Sequence, residues 1–117
     1  EKFIHNEVKK LRELFIKKHK KKKTKVLIFD IPLLFEAKLS HICDYIILLH
    51  VPKKNKIRRA MTRKGMKKNV ILKILNNQIS DTFKKKKADF VIDTLRTKKH
   101  SFKMILTIIN NIINKNA

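Results

Sequence analysis

A single glycine in 117 residues, Gly65, leaves nothing from which to build a phosphate-cradling G-x-x-x-x-G-K-[ST] loop, and no such motif occurs in this sequence. The one cysteine, Cys43, excludes an intramolecular disulfide and any cysteine cluster for zinc. Beside Ile42 in a mostly apolar stretch, it reads as a small buried hydrophobe. Long apolar runs are also lacking. The two longest, at 26–29 and 45–49, fall far below the ~20 residues that cross a bilayer. The N-terminus lacks the apolar centre of a signal peptide, so a soluble cytoplasmic protein is expected. No Gly- or Ser-rich linker and no internal repeat divides the chain, which reads as one domain over 1–117.

Acids are scarce too, nine against 31 Lys and Arg, giving a net charge of +22. Such a balance attracts nucleic acid, anionic lipid or phosphorylated metabolites by electrostatics alone. Lys outnumbers Arg about fivefold and Ile and Asn are abundant, the residues that AT-rich codons specify. Nucleic-acid readers lean on Arg for bidentate contacts, so the excess reads as solvated lysine.

What is present has the rhythm of an α/β fold. Phe3, Ile4, Val8, Leu11, Leu14 and Phe15 recur at helical spacing, and the lysine-rich run 17–23 ends that helix as a solvated tail. Residues 25–30, Lys-Val-Leu-Ile-Phe-Asp, read as a strand apolar on both faces, stopped by Pro32. A second buried strand is expected over 44–51, closed by Pro52, and a third over 88–93. Helices are expected over 53–64 (Ile57, Ala60 and Met61 inward), 66–79 (Val70, Ile71, Ile74 and Leu75 aligned) and 81–87. The tail from 97 to 114 aligns Phe102, Ile105, Leu106, Ile109, Ile112 and Ile113 on one face. Helices alternating with buried strands predict a parallel sheet.

Two clusters carry chemistry. Asp30 follows a buried strand directly, at the carboxyl end where open parallel sheets bind ligands, and an acid there can orient Mg²⁺ or its waters. Arg59 and Arg63, four apart, project from one helix face, and two guanidinium forks on one face suit a polyphosphate. Taken alone, the first is a capped strand end and the second a solvated basic surface.

Taken together, the motifs resemble the dephospho-CoA kinase family. Asp30-Ile31-Pro32-Leu33-Leu34-Phe35-Glu36 is similar to that family's signature nearly letter for letter. In order there follow Arg59-Ala60-Met61-Thr62-Arg63, like the segment that opens the family's lid, then Gln78, Lys84 and Ala88-Asp89-Phe90-Val91-Ile92-Asp93. His5-Asn6-Glu7-Val8-Lys9 is a looser match, with Asn and Lys where the family has Pro and Arg. Thr94 stands in place of a usual Asn.

The resemblance implies a partial P-loop fold of the nucleoside-monophosphate-kinase kind, with flanking helices and a helical lid over about 53–87. It implies a sheet in the order 2-3-1-4-5, whose strands 3, 4 and 5 are the three above, and whose central strand lies outside this sequence. Strand 3 would then have two bare edges, each unpaired buried polar group costing about 1–3 kcal/mol. The implied activity is ATP-dependent phosphorylation of the 3′-hydroxyl of dephospho-CoA. In it Asp30 assists Mg²⁺, Pro32, Leu33, Leu34 and Glu36 wall the substrate site, and Arg59 and Arg63 clamp phosphates. Gln78 and Lys84 either contact ligand or, respectively, cap a helix and sit in a solvated lysine run. The base and the phosphate loop belong to an upstream segment, which fits a chain that opens on Glu1 with its helical pattern under way. The isolated chain is therefore expected to be inactive, or completed by a separate P-loop fragment. The alternatives are a small basic nucleic-acid-binding protein and a remnant of a decayed kinase gene.

Overall fold

The computed structural model describes residues 2–115; Glu1 and the side chain of Phe3, both used in the sequence reading, lie outside the described residues. The chain divides into two compact units, one of the stretch to Asp30 with the residues from Ile109 onward, the other Ile31–Ile108.

In the first unit, α1 (Lys2–Lys21) is a 20-residue helix whose last turn is wholly basic, favourable at the negative end of the helix dipole. Lys23 turns the chain out with φ 56°, and Thr24 donates its N–H to His19 O at 3.1 Å. Phe15 meets Phe29 edge-on at 5.7 Å. The expected apolar stripe is present, yet Ile4, Val8, Leu11, Leu14 and Phe15 are all exposed. Residues 26–30, expected as a buried strand, enter no ladder, and Ile28 is 67% exposed. A parallel strand takes its backbone partners from neighbouring strands, and among the described residues none pairs with this segment.

The second unit opens with a turn over 32–38 and a single 3-10 turn at Ser40–Ile42, where Cys43 is half-buried. Then follow β1 (Ile47–His50), α2 (Lys53–Lys64), α3 (Lys68–Asn76), α4 (Asp81–Lys87), β2 (Phe90–Asp93) and the start of α5 (Lys98–Lys115). β1 and β2 are parallel, with Ile47 opposite Phe90, Leu48 opposite Val91, Leu49 opposite Ile92 and His50 opposite Asp93. Both strands are shorter than expected, but backbone bonds extend their pairing. Asp89 and Phe90 donate to Ile46 O, Ile46 N–H donates to Asp89 Oδ2 at 2.7 Å, and Thr94 donates to His50 O through both N–H and Oγ1.

Helix limits follow local chemistry. Pro52 precedes α2, as a residue without an N–H can, and Gly65 ends it in the left-handed region at φ 63°. Ser80 caps α4 by accepting the Phe83 N–H at 3.3 Å. Among the described residues only Ile71, Ile92 and Ile108 are fully buried apolar side chains. Three faces therefore differ from expectation, the first in α2, where Met61, expected inward, is exposed. In α3, Val70 and Ile74 are exposed while Ile71 is buried; in α5, Phe102 and Leu106 are exposed and Ile108 points inward. The architecture is the mixed α/β class expected, reduced to one parallel pair with its helices.

Candidate functional site

The turn that carries the signature residues is bent by two non-glycine residues in the left-handed region, Leu33 at φ 55° and Lys38 at φ 56°. For a residue as bulky as Leu, that conformation stores about 1–2 kcal/mol. It is closed by backbone bonds from Ala37 N–H to Leu33 O at 2.9 Å, Lys38 to Phe35 O and Leu39 to Leu34 O, both at 3.0 Å. Pro32 and Leu33 face solvent, while Leu34, Phe35 and Glu36 are half-buried.

Glu36 anchors this turn to the segment that enters α4. Its Oε2 accepts from Lys84 Nζ at 2.8 Å and from the Ile79 N–H at 3.1 Å. The Lys84 and Glu36 side chains are only 13% and 17% exposed. Glu36 Oε1 is buried and has no hydrogen-bond partner among the described residues. Phe35 meets Phe83 edge-on at 6.2 Å, and Lys87 Nζ lies 5.7 Å over the Phe83 ring. Burial pushes the Glu36 carboxyl up. The Lys84 hydrogen bond, backbone donors including Ile79, and the Lys84 charge outweigh it and hold the group below its ordinary 4.5.

A second tie lies one turn away. Lys56 Nζ, on the first turn of α2, bonds Asp81 Oδ1 at 2.9 Å, both side chains about a third exposed. Burial opposes ionisation of Asp81, but the Lys56 hydrogen bond and the charges of Lys56, His50 and Lys84 bring it below 3.8. The first turn of α4 thus grips the signature turn through Lys84 and the root of α2 through Asp81.

Arg59 and Arg63 lie exposed on α2 beside Arg58 and Thr62, on an open face; Thr62 Oγ1 is turned back onto Arg58 O at 2.9 Å. Gln78 is half-buried, and its N–H donates to Leu75 O at the end of α3. Asp30 is exposed at the end of the first unit. Of the residues singled out from sequence, the structure joins Glu36 with Lys84 and sets Arg59 beside Arg63. Among the described residues no hydrogen bond or ion pair links the arginine face to the Glu36 cluster. Lys56, Asp81 and the Ile79 N–H were missed, since nothing in the spacing of a lysine and an aspartate 25 residues apart marks them as partners. As for a metal, no group of three His, Cys, Asp or Glu occurs among the described residues. Asp30 offers one exposed carboxylate, which suits Mg²⁺ because that ion is commonly held by one or two carboxylates together with nucleotide phosphates and water.

Residues 1–99 match the sequence family described as dephospho-CoA kinase. A dephospho-CoA kinase of Listeria innocua is 39% identical over 90 residues, covering 77% of this chain and 45% of the relative. One from Wolbachia pipientis is 32% identical over 109 residues (93% and 55%), and one from Bartonella henselae 31% over 113 (97% and 58%). The chain spans about half the length of these curated relatives. No helix among the described residues is long and apolar enough to cross a membrane.

Proposed function

This chain belongs to the dephospho-CoA kinase family, and we propose that it supplies the acceptor-side wall and the phosphate-clamping lid of such an enzyme. The reaction is transfer of the γ-phosphoryl group of ATP to the ribose 3′-hydroxyl of dephospho-CoA. The 3′-oxygen bonds to the γ-phosphorus, the bond to the β-phosphate oxygen breaks, and the hydroxyl proton leaves to a base, giving coenzyme A and ADP. Pro32, Leu33 and Leu34 form the wall, Arg59 and Arg63 take the phosphates as residues 53–87 close over them, and Gln78 lies at the ligand edge of α3. Asp30 would orient Mg²⁺ or its waters, and the ion when bound neutralises phosphate charge. A cytoplasmic setting accompanies this reading.

The observation that carries it is the meeting of two stretches singled out by the family resemblance: the signature turn and the 78–84 segment, joined at Glu36 across 43 residues. These 117 residues contain no phosphate loop, so the chain alone is expected to bind dephospho-CoA but to turn it over negligibly. A segment carrying that loop, added in trans, is expected to restore turnover. Calorimetric titration with dephospho-CoA, beside a transfer assay with ATP–Mg²⁺, tests both statements. Absence of dephospho-CoA binding would remove the reading, and normal turnover by the chain alone would remove the division of labour. Arg59→Ala and Arg63→Ala are each expected to weaken ATP binding roughly tenfold or more, the scale of one lost charge-assisted contact.

A further inference from the structure

We propose that Glu36 and Lys84 act through one another as a positioning pair, which holds the 32–38 turn in its bent form, and that neither touches the ligand. This rests on the reading of that turn as the acceptor-side wall.

Three observations carry it. First, the charges are spent on each other: at 2.8 Å and with both side chains more than four-fifths buried, the Lys84 ammonium is committed to Glu36 Oε2. An exposed pair such as Glu7 and Lys10, 3.7 Å apart, contributes next to nothing by comparison. Second, the turn needs an external hold. Leu33 and Lys38 both sit at positive φ, a conformation that persists when surrounding contacts over-determine it. The contacts that do so here come from the stretch 79–84: the Ile79 N–H and Lys84 Nζ on Glu36, and Phe83 against Phe35. Third, of the four consecutive lysines 84–87, only Lys84 is drawn inward, while Lys85, Lys86 and Lys87 are exposed. That selects a packed structural tie over a generic basic surface.

A double-mutant cycle on the 117-residue chain tests the pair. The variants are Glu36→Gln, which leaves an acceptor for the Ile79 N–H, Lys84→Met, the two combined, and Lys84→Arg. The readouts are amide hydrogen exchange at Ala37, Lys38 and Leu39, and calorimetric dephospho-CoA affinity; exchange at Leu49 and Ile92 serves as folding control. Each single charge-removing variant is expected to speed exchange at 37–39 about tenfold or more and to weaken binding in proportion. The combined variant should be no worse than either single one, and Lys84→Arg should restore both readouts. Multiplying effects in the combined variant would mean two independent ligand contacts and would overturn the proposal, as would unchanged exchange at 37–39. If the wild-type chain binds no dephospho-CoA while the exchange cycle behaves as stated, the functional reading falls and the positioning pair stands.

Discussion

Glu36 and Asp81 are both carboxylates held below their ordinary range by a lysine, but they differ in how far water screens the pair. Glu36 and Lys84 are largely out of solvent, so the charged hydrogen bond is worth about 1.5–3 kcal/mol. Asp81 and Lys56 keep about a third of their surface exposed, which reduces their pair to about 0.2–1 kcal/mol. Because both carboxyl groups are depressed in the folded chain, their contribution is complete above the ordinary values of 4.5 and 3.8 and is lost as pH falls through the lower folded values. Denaturant midpoints measured from pH 7 down to pH 2 should therefore fall below about pH 4.5. Glu36→Gln should flatten most of that fall, and Asp81→Asn little of it. Equal flattening by both would contradict the exposure argument. None of this is visible in the sequence, where Lys84 is the first of four identical neighbours; burial against a carboxylate 48 positions away is what separates it from them.

At the scale of elements, the segments bounded by strong local signals were the legible ones. Pro52 and Gly65 bracket α2, α4 keeps its expected limits of 81–87, and β2 lies within the expected 88–93. Residues 26–30 carry as good an apolar run as β1, yet only β1 has a partner strand, and pairing is not a property of one segment. The inward face of α5 was misread for a similar reason. Ile108 and Leu106 are equally apolar, and packing decides between them.

The same contrast makes the sheet testable. Ile92 is 2% exposed, and Ile92→Ala is expected to remove about 2–5 kcal/mol. Its ladder partner Leu49 is 55% exposed, and Leu49→Ala is expected to remove under about 1 kcal/mol. Urea titration of the two variants gives the comparison directly, and similar losses would place the core elsewhere. Ser80→Ala should remove about 1 kcal/mol by uncapping α4. Gly65→Ala meets no atom within 4 Å and is opposed only by its φ of 63°, so about 1 kcal/mol is expected there as well.

Over the whole molecule, charge repulsion opposes compaction. A net +22 on 117 residues is spread across exposed lysines of α1, α4 and the loops between. With only three fully buried apolar side chains among the described residues, there is little to set against it. Raising NaCl from about 0.01 M to 0.5 M shortens the screening length from ~30 Å to under 10 Å and should raise the melting temperature. A melting temperature that falls over that range would show the ion pairs outweighing the repulsion. The same titration separates the nucleic-acid alternative, which requires affinity for RNA or DNA to drop steeply with salt while dephospho-CoA binding is absent.

The parallel register has a consequence for time as well as for shape. Ile47 meets Phe90, and Ile46 bonds Asp89 43 residues on, with three helices filling the interval. No part of that ladder can form between sequence neighbours, so a large loop must close before its first bond is made. The helices between can assemble in microseconds, whereas the strands must wait for two distant segments to find one another. The arrival of β2 at β1 is accordingly expected to be the slow step of folding, and until it happens each strand presents both of its edges to whatever else is in solution.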